Sequence, residues 1–307
     1  MSVSRGLRLK LPATSANLGP GFDAVGLAMS MHLTVEAHVA PVFSIEATGR
    51  DAELCGTLDG NLILETYRNT MTASGETAQP LRLLLHNEIP LGMGCGSSAA
   101  AIVAGVMLAN HFGGFGMTDR EIVWAASQVE GHPDNVAACF YGGFTVSSQS
   151  ASEGVECATF AGDSGWEMML AVQDSSLATK KARALLPASY SKEDAVFNVQ
   201  RVALLTAAFA LGRLDLLRTG MQDRLHQPYR AAACPLLKAL LPLAEEPEIA
   251  GVALSGAGPS VLVFLAEGTT VLEAETRIRG VVGDEVELIG VRVASGVERV
   301  VVEGAAH

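Results

Sequence analysis

Three alternating glycines followed by two serines are the residues of this chain most suited by type and spacing to chemistry. Gly92, Gly94 and Gly96 precede Ser97 and Ser98. Glycines permit left-handed backbone and close approach to a ligand, and the N–H groups at a helix start attract anions. The pattern predicts a phosphate site, although a tightly packed turn without a ligand fits the same residues. Because no lysine follows the last glycine, the loop is not a Walker A sequence.

A strand and a helix are expected on either side of this glycine loop. Leu81–Leu85 is a short, bounded apolar run, which is typical of a strand. Ala99–Asn110 is rich in small apolar residues and long enough for a helix. The predicted order is therefore strand, glycine loop and helix, with the serines at the start of the helix.

A second group of residues that could take part in chemistry lies between Glu130 and Asn135, where two carboxylates and one imidazole fall within five positions. Glu130 could hold Mg²⁺, because this ion prefers carboxylate and phosphate oxygens. Asp134 could orient or deprotonate a hydroxyl group, or bind an ammonium group, and His132 lies beside it. A solvated loop at a helix end fits the same residues, so the segment alone does not define a site.

Two further glycine-rich segments have polar residues suited to binding. Ala13–Met29 is dense in Ser, Asn, Gly and Pro, which predicts a loop. Its Asn17 and Asp23 could hold a small polar molecule, since an amide both donates and accepts and a carboxylate can bind an ammonium group. An Asx-rich turn is the alternative. Ser255–Pro259 fits either a ligand-binding loop or a tight turn.

The rest of the chain predicts mixed strands and helices in two halves, and hence an α+β protein of two domains. The predicted strands are Val3–Pro12, Leu33–Ala40, Phe43–Ala47, Phe144–Ser148, Trp166–Gln173, Gly251–Leu254, Ser260–Leu265 and segments within Val286–Glu303. The predicted helices are Leu62–Thr72 capped by Asn61, a helix from the Thr118–Glu121 capping box through Val129, Thr179–Leu186, Lys192–Leu211, Leu214–Met221, Leu236–Leu243 and one around Thr270–Arg279. Because Ser150–Gly165 is polar, we place the domain crossing there, with domains at 1–160 and 161–307.

Composition excludes several classes of protein. The 307 residues are 49% hydrophobic and 18% charged, and a net charge of −12 argues against a nucleic-acid-binding or anionic-membrane surface. The apolar runs are broken well short of the ~20 residues that a membrane span needs, and the N-terminus has no secretory pattern. Five scattered cysteines without a CxxC pair predict neither disulfides nor a zinc site. We therefore expect a cytoplasmic protein.

Four segments together resemble the GHMP kinase family. PLGMGCGSSAA (90–100) matches its phosphate-binding loop, and LSGAGPSVLVF (254–264) matches its third motif. ATSANLGPGFD (13–23), EGHPDNVAACFYGGF (130–144) and TKKARALLP (179–187) are similar to the branch that phosphorylates L-homoserine, and the first of them separates it from the mevalonate and galactose branches. The resemblance runs from about Lys10 to Phe264.

The resemblance implies transfer of the γ-phosphoryl group of ATP to the side-chain hydroxyl of L-homoserine, for threonine synthesis. It implies an N-terminal domain with a left-handed crossover, a ferredoxin-like C-terminal domain, ATP at their interface and a homodimer. Another alcohol substrate is one alternative, which the 13–23 segment disfavours. A catalytically silent ligand sensor is another, but such a protein would be expected to lose the loop serines or metal ligands, and these are present.

The resemblance also implies roles for single residues. ATP is expected on Pro90, Leu91, Gly92, Met93, Gly94, Cys95, Gly96, Ser97, Ser98, Ala99 and Asn61, with Mg²⁺ on Ser98 and Glu130. The substrate contacts fall on Asn17, Asp23, His132, Asp134, Arg183 and Arg230, and the catalytic residues on Asp134, Arg183 and Glu130. Whether Asp134 is a general base or a clamp on the substrate's ammonium group stays open, and we favour the clamp.

The glycine loop departs from the family pattern at two positions. Cys95 stands where leucine is usual, and Met93 stands where arginine or another polar residue is common. We expect activity to survive, because cysteine is a small apolar substitute whose backbone still forms the loop. If its thiol is exposed, Cys95 would make the loop sensitive to thiol reagents.

Overall fold

The computed structural model describes residues 6–152, 154–160, 165–173 and 179–303, and two β-sheets organise them. The strands of the first sheet are β1 (Gly6–Asn17), β2 (Gly21–Val39), β3 (Ser44–Gly49), β4 (Leu81–Asn87), β5 (Phe144–Ser150), β6 (Gly154–Phe160) and β11 (Glu298–Val302). Those of the second are β7 (Glu167–Val172), β8 (Ile249–Leu254), β9 (Val261–Leu265) and β10 (Glu287–Arg292).

The helices cover these sheets and link their strands. They are α1 (Ala52–Cys55), α2 (Leu62–Ala73), α3 (Ser97–Gly113), α4 (Asp119–Glu130), α5 (Asp134–Tyr141), α6 (Thr179–Ala184), α7 (Lys192–Leu211), α8 (Leu217–Gly220), α9 (Gln227–Arg230), α10 (Pro235–Leu240) and α11 (Val271–Val282), with 3₁₀ turns at Leu214–Leu216 and Leu241–Glu245. Asn61 caps α2 and the Thr118–Glu121 capping box opens α4, so both predicted helix starts are confirmed.

The first sheet has the order β11-β1-β2-β4-β3, and β5 joins β2 to β6. β3 and β4 are parallel, and a crossover containing α1 and α2 connects them. Leu9 and Leu11 of β1 are fully buried in the same hydrophobic core as the apolar face of α3. Small residues on α3, such as Ala99 and Ala104, let the helix lie close to its neighbours.

The second sheet is antiparallel with the order β10-β7-β9-β8. In chain order within this sheet, that is fourth, first, third, second, which is the ferredoxin-like arrangement. Leu237 and Leu240 of α10 and Ile278 of α11 are in one buried cluster with β8 and β9. The predicted α+β architecture of two domains, with a ferredoxin-like second half, is confirmed.

Aromatic side chains join the two halves of the molecule. Phe144 of β5 stacks on Phe209 of α7, with ring centroids 3.9 Å apart. Trp166 lies 4.8 Å from Phe209, and Phe264 of β9 lies 6.1 Å from it. This shared packing holds the second sheet against the first, and a cleft lies elsewhere along the same junction.

The predicted loop over Ala13–Met29 is wrong, because β1 and β2 continue through it and only residues 18–20 form a turn. Thr14 pairs with Ala28 and Ala16 with Gly26. Backbone hydrogen bonds make this ladder whatever the side chains are, so a polar, glycine-rich sequence can form a buried hairpin. Such residues are depleted in strands generally, which is why the pattern is misleading.

Two other elements lie where the sequence shows polar loops. α5 fills much of the 130–144 segment. β6 occupies residues 154–160 of the predicted domain crossing and pairs with β5, from Phe144–Phe160 to Ser150–Gly154. Residues 3–5 of the first predicted strand, and residues 153 and 161–164 of the predicted crossing, lie outside the described part. The domain boundary at 160/161 therefore stays a prediction. In addition, β11 follows the second sheet in the chain but pairs with β1 of the first sheet.

Among the described residues, α7 is the one helix whose length and composition would suffice to cross a membrane. Its inner face packs Leu205, Ala208 and Phe209 into the core, while Val199 is 66% exposed. A helix that packs on the core of a globular protein can have this composition too, because the face that it buries must be apolar. The expected absence of a membrane segment remains a prediction.

Candidate active site

One cleft of about 350 Å³ lies between the two halves. The β1–β2 hairpin, the glycine loop, the start of α5, α6, α9 and the Ser255–Pro259 loop surround it. Its walls include Asn17, Asp23, Gly92, Gly94, Gly96, Ser97, Ser98, Glu130, His132, Asp134, Asn135, Arg183 and Arg230. All of the predicted substrate and metal residues therefore line one cavity.

The glycine loop adopts a conformation that requires glycine at two positions. Gly96, at φ 69°, immediately precedes α3, and a Cβ there would collide with the hydroxyl of Thr14. Gly94, at φ 76°, lies so close to the carbonyl of Ser255 that a Cβ would collide with that oxygen. The loop is thus pressed between β1 and the Ser255–Pro259 loop, and larger residues would displace it.

Hydrogen bonds from both sides fix the glycine loop. Thr14 N–H donates to the carbonyl of Cys95 at 3.0 Å, and Ser255 Oγ donates to the carbonyl of Gly94 at 2.7 Å. Within the described ranges, the N–H groups of Gly96, Ser97 and Ser98 donate to no protein acceptor. The carbonyls of Gly94 and Cys95 are occupied, and the N–H groups at the start of a 17-residue helix are free, which suits a phosphate group.

Glu130 ends α4 beside the start of α3, and Ser98 Oγ donates to its Oε1 at 2.7 Å. Burial raises the pKa of Glu130, and the hydrogen bond from Ser98 offsets this only in part. The half-buried Glu130 carboxylate and the Ser98 hydroxyl, which lie beside the free N–H groups, form a set of hard oxygen donors. This set fits Mg²⁺, which favours one or two protein oxygens together with phosphate oxygens.

Asp134 is 1% exposed and lies at the centre of a hydrogen-bond chain. His132 Nδ1 is 2.6 Å from its Oδ1, and the same oxygen accepts from Asn135 N–H at 2.6 Å. Thr14 Oγ1 donates in turn to Asn135 Oδ1 at 2.7 Å. Burial lowers the pKa of His132, but the Asp134 carboxylate more than reverses this, so the net shift is upward. In the part of the chain that the structure describes, Asp134 Oδ2 has no hydrogen-bond partner and lies at the cleft.

Asp23 and Arg183 form a two-pronged ion pair across the cleft, with both N–O distances at 2.8 Å. Asn17 Oδ1 accepts from Asp23 N–H at 3.0 Å, and Asn17 Nδ2 donates to the carbonyl of Gly256 at 2.9 Å. The Arg183 guanidinium also lies over the Phe22 ring, 5.3 Å from its centroid. A carboxylate and a guanidinium thus stand side by side, each partly exposed to the cavity.

Arg230 reaches the same cavity from α9 and is 2% exposed. Burial, and then repulsion from Arg183, lowers its pKa from the usual arginine value. The sequence suggested this residue less clearly than Arg183, yet the two guanidinium groups share the Phe22 ring, Arg230 at 5.5 Å from the centroid.

Asn61 lies outside the residues that line the cleft. Its Oδ1 accepts from Leu64 N–H at 3.3 Å and its Nδ2 donates to the carbonyl of Cys55 at 3.1 Å, so its side chain is engaged in capping. Contact with the nucleotide base stays a prediction for Asn61, as do the ATP contacts of all the residues from Pro90 to Ala99. Of these, Pro90, Leu91, Met93 and Ala99 also lie outside the residues that line the cleft. Cys95 is buried, so the condition for thiol sensitivity is not met.

The sequence assigned no individual role to Thr14, Phe22, Asn135 or Ser255, although each lies in a segment that it marked as a candidate for binding. Thr14 and Ser255 act through contacts with residues 121 and 161 positions away, which no local pattern records.

Two family models match this chain. The N-terminal domain of GHMP kinases matches residues 61–143, which contain the glycine loop and Glu130–Asn135, and the C-terminal domain of GHMP kinases matches residues 205–281. The fold is thus that of the GHMP kinase class.

Relatives narrow the class further. The chain is 46% identical to the homoserine kinase of Solibacter usitatus over 87% of its own length and 88% of the relative's. It is 42% identical to a homoserine kinase of Thermus thermophilus, over 89% of this chain and 92% of the relative. The crystal structure of homoserine kinase from Cytophaga hutchinsonii has the same fold, with a TM-score of 0.79 over 98% and 99% of the two chains at 24% identity. The chain therefore belongs to the homoserine kinase branch of the GHMP kinase family.

Proposed function

We propose that this protein transfers the γ-phosphoryl group of ATP to the side-chain hydroxyl of L-homoserine, giving O-phospho-L-homoserine for threonine synthesis. One observation carries the proposal: a phosphate-suited helix start and a matched carboxylate–guanidinium pair face the same cleft. The homoserine kinase relatives, which span most of the chain, support the same substrate.

The substrate wall suits a free amino acid. An α-ammonium group matches the carboxylate of Asp23, and an α-carboxylate matches the guanidinium of Arg183. Without substrate these two side chains pair with each other, and a zwitterion supplies each of them with a new opposite charge. Asp134 Oδ1 is committed to His132 and Asn135, which leaves Oδ2 to clamp the ammonium group. Mevalonate and galactose have no ammonium group to fill these positions.

Phosphoryl transfer depends mainly on positioning and on neutralising charge. The free N–H groups at the start of α3 would hold phosphate oxygens, and Ser98 and Glu130 would hold Mg²⁺. The metal ion would neutralise charge on the phosphate oxygens. Arg230 would face the substrate carboxylate or the transferring phosphoryl group.

We also propose ATP and Mg²⁺ as the cofactors, a homodimer as the working assembly and the cytoplasm as the compartment. The support for ATP and Mg²⁺ is the donor set at the glycine loop. Free cysteines throughout the described residues agree with a reducing compartment. The homodimer rests on the family resemblance.

A coupled ADP-release assay with Mg-ATP tests the substrate directly. We expect turnover with L-homoserine and none with mevalonate, galactose or shikimate. Glu130→Gln keeps the shape of the side chain but removes the charge, and kcat/KM should fall by about 100-fold or more. Glu76→Gln is the matched control, because Glu76 is exposed and lies outside the residues that line the cleft; it should leave kcat/KM unchanged. Turnover with another alcohol would contradict the proposed substrate, and an active Glu130→Gln would contradict the metal site.

A further inference from the structure

Arg230 is a buried cation whose protein partners are all neutral. Its Nη1 donates to the carbonyl of Gly256 at 3.3 Å and its Nε to the carbonyl of Ala182 at 3.4 Å. Among the described residues it forms no ion pair with a carboxylate. Buried charges are normally paired, so this guanidinium is available to bind an anion in the cleft. Its orientation is fixed by neutral hydrogen-bond acceptors.

His226 is the third acceptor, and its position fixes its tautomer. The carbonyl of Gly19 lies 2.7 Å from Nε2, so Nε2 must carry the proton. Arg230 Nη1 lies 3.2 Å from Nδ1, and a guanidinium can only donate, so Nδ1 must be bare. The ring is 0% exposed. Burial lowers the pKa of His226, with partial compensation from the Asp223 carboxylate. Because Nδ1 faces a guanidinium, which can only donate, the imidazole is neutral.

The ring itself is held from several sides. Asp223 accepts from the N–H groups of His226 and Gln227 at 2.9 and 2.7 Å, which fixes the turn that leads into α9. Asn198 of α7 donates to the same carboxylate at 2.7 Å. Through Gly19 the ring is tied to the β1–β2 turn. His226 thus connects the first half of the molecule, α7 and Arg230 at one buried point.

We propose that His226 is a positioning residue for Arg230: its neutral Nε2–H tautomer holds the guanidinium toward the anionic group of the substrate. The inference rests on the proposed function, since the anion is that of the amino-acid substrate or of the phosphoryl group that it receives. His226 lines no part of the cleft and touches no reacting atom. Its ring also lies 5.5 Å from the ring of Phe22, which lines the cleft, but its hydrogen bond to a cleft residue is the one with Arg230.

Two substitutions separate the two hydrogen bonds of the ring. In His226→Asn, Oδ1 lies as many bonds from Cβ as Nδ1 does, so an acceptor for Arg230 remains and the bond to Gly19 is lost. In His226→Gln, Nε2 lies as many bonds from Cβ as the histidine Nε2, so the Gly19 bond can form. The glutamine acceptor Oε1 lies one bond farther from Cβ than Nδ1 does, so the acceptor at the Nδ1 position is lost. Both should lower the melting temperature, and only the second should release Arg230.

We expect His226→Gln to raise KM for L-homoserine about tenfold, with KM for ATP within about twofold, and His226→Asn to raise it by less than about threefold. In an Arg230→Met background, His226→Gln should add no further loss, because residues that act as one unit are not additive. Equal effects of the two substitutions on KM, or additive effects in the double variant, would overturn the proposal.

Nitrogen-15 NMR of the imidazole gives a readout that does not depend on turnover. At pH 7 the signals that disappear in His226→Asn should be those of a protonated Nε2 and a bare Nδ1, and a protonated Nδ1 would overturn the proposal even if His226→Gln fails to fold. If the wild-type protein does not turn over L-homoserine, the proposed function fails, and the substrate role of His226 fails with it. Wild-type turnover with an unaffected His226→Gln overturns the inference alone.

Discussion

The two walls of the cleft are built in different ways. The phosphate wall is a continuous run, Gly92–Ser98, that presents backbone N–H groups and is held by backbone and hydroxyl contacts. The substrate wall consists of charged side chains from distant segments, such as Asp23 and Arg183, which are 160 positions apart. Shape therefore decides phosphate binding and charge decides substrate binding. Substitutions on the first wall should abolish activity through collision, whereas those on the second should change affinity in steps.

The largest effect is expected from Gly96→Ala. The new Cβ would collide with the Thr14 hydroxyl, which cannot retreat because Thr14 is buried and bonded to Asn135. We expect kcat/KM to fall by more than about 100-fold, whichever substrate is varied. Gly116→Ala is the matched control, since Gly116 has nearly the same φ, 66° against 69°, but open space around its Cβ position. It should retain activity and lose only about 1–2 kcal/mol of unfolding free energy from backbone strain.

An active Gly96→Ala would show that the glycine loop tolerates displacement, and the contrast between the walls would then fail. Equal losses in both alanine variants would point to backbone strain and away from collision. Circular dichroism and a denaturant titration distinguish either case from global unfolding.

Arg183→Gln tests the charged wall. Losing a two-pronged bond to a carboxylate should raise KM for L-homoserine by about 10- to 100-fold and leave KM for ATP within about twofold of the wild type. Arg213→Gln is the control, because Arg213 makes a similar two-pronged pair with Asp215 at 2.8 and 2.7 Å on the exposed surface. An exposed ion pair contributes about 0–1 kcal/mol to the free energy of unfolding, so Arg213→Gln should change little. A large rise in KM for ATP in Arg183→Gln would mean that the walls are not separate.

Thr14→Val tests whether the phosphate wall and the substrate wall are coupled through Thr14. Thr14 contacts the glycine loop through its N–H group and the Asp134 segment through its hydroxyl. Valine keeps the shape and removes the hydroxyl, leaving Asn135 Oδ1 short of a donor. We expect kcat to fall about fivefold and the unfolding free energy by about 1–3 kcal/mol. Activity assays and urea denaturation measure the two effects.

Thr66→Val is the control for this substitution. Thr66 is equally buried, but its hydroxyl has no hydrogen-bond partner within the described segments. Replacing an unsatisfied hydroxyl with a methyl group should leave kcat unchanged and leave stability equal or higher. If both valine variants behave alike, the Thr14–Asn135 bond does not link the walls.

The difference between the walls also explains what the sequence could predict. The glycine loop is a contiguous run of residue types, and the partners of the Asn61 cap and the Thr118–Glu121 capping box lie within a few residues, so all three are visible in the sequence. The β1–β2 hairpin at residues 13–29 has the sequence of a loop, since its pairing depends on main-chain contacts between polar residues. The bonds of Thr14 and of His226 to Arg230 needed the fold. The family resemblance supplied the substrate residues that spacing alone left open.

The smallest effect is expected from alkylation of Cys95. Its side chain is 1% exposed behind the glycine loop, and burial raises the pKa of its thiol to about 12. Thiolate is the reactive form, so iodoacetamide at pH 8 should leave Cys95 unmodified and activity intact while the partly exposed Cys55 and Cys157 react slowly. Peptide mass spectrometry measures each site, and labelling in urea, where all five cysteines should react, is the control. Labelling of Cys95 in the native protein, with loss of activity, would mean that the phosphate wall opens in solution, and the steric argument for Gly96 would weaken with it.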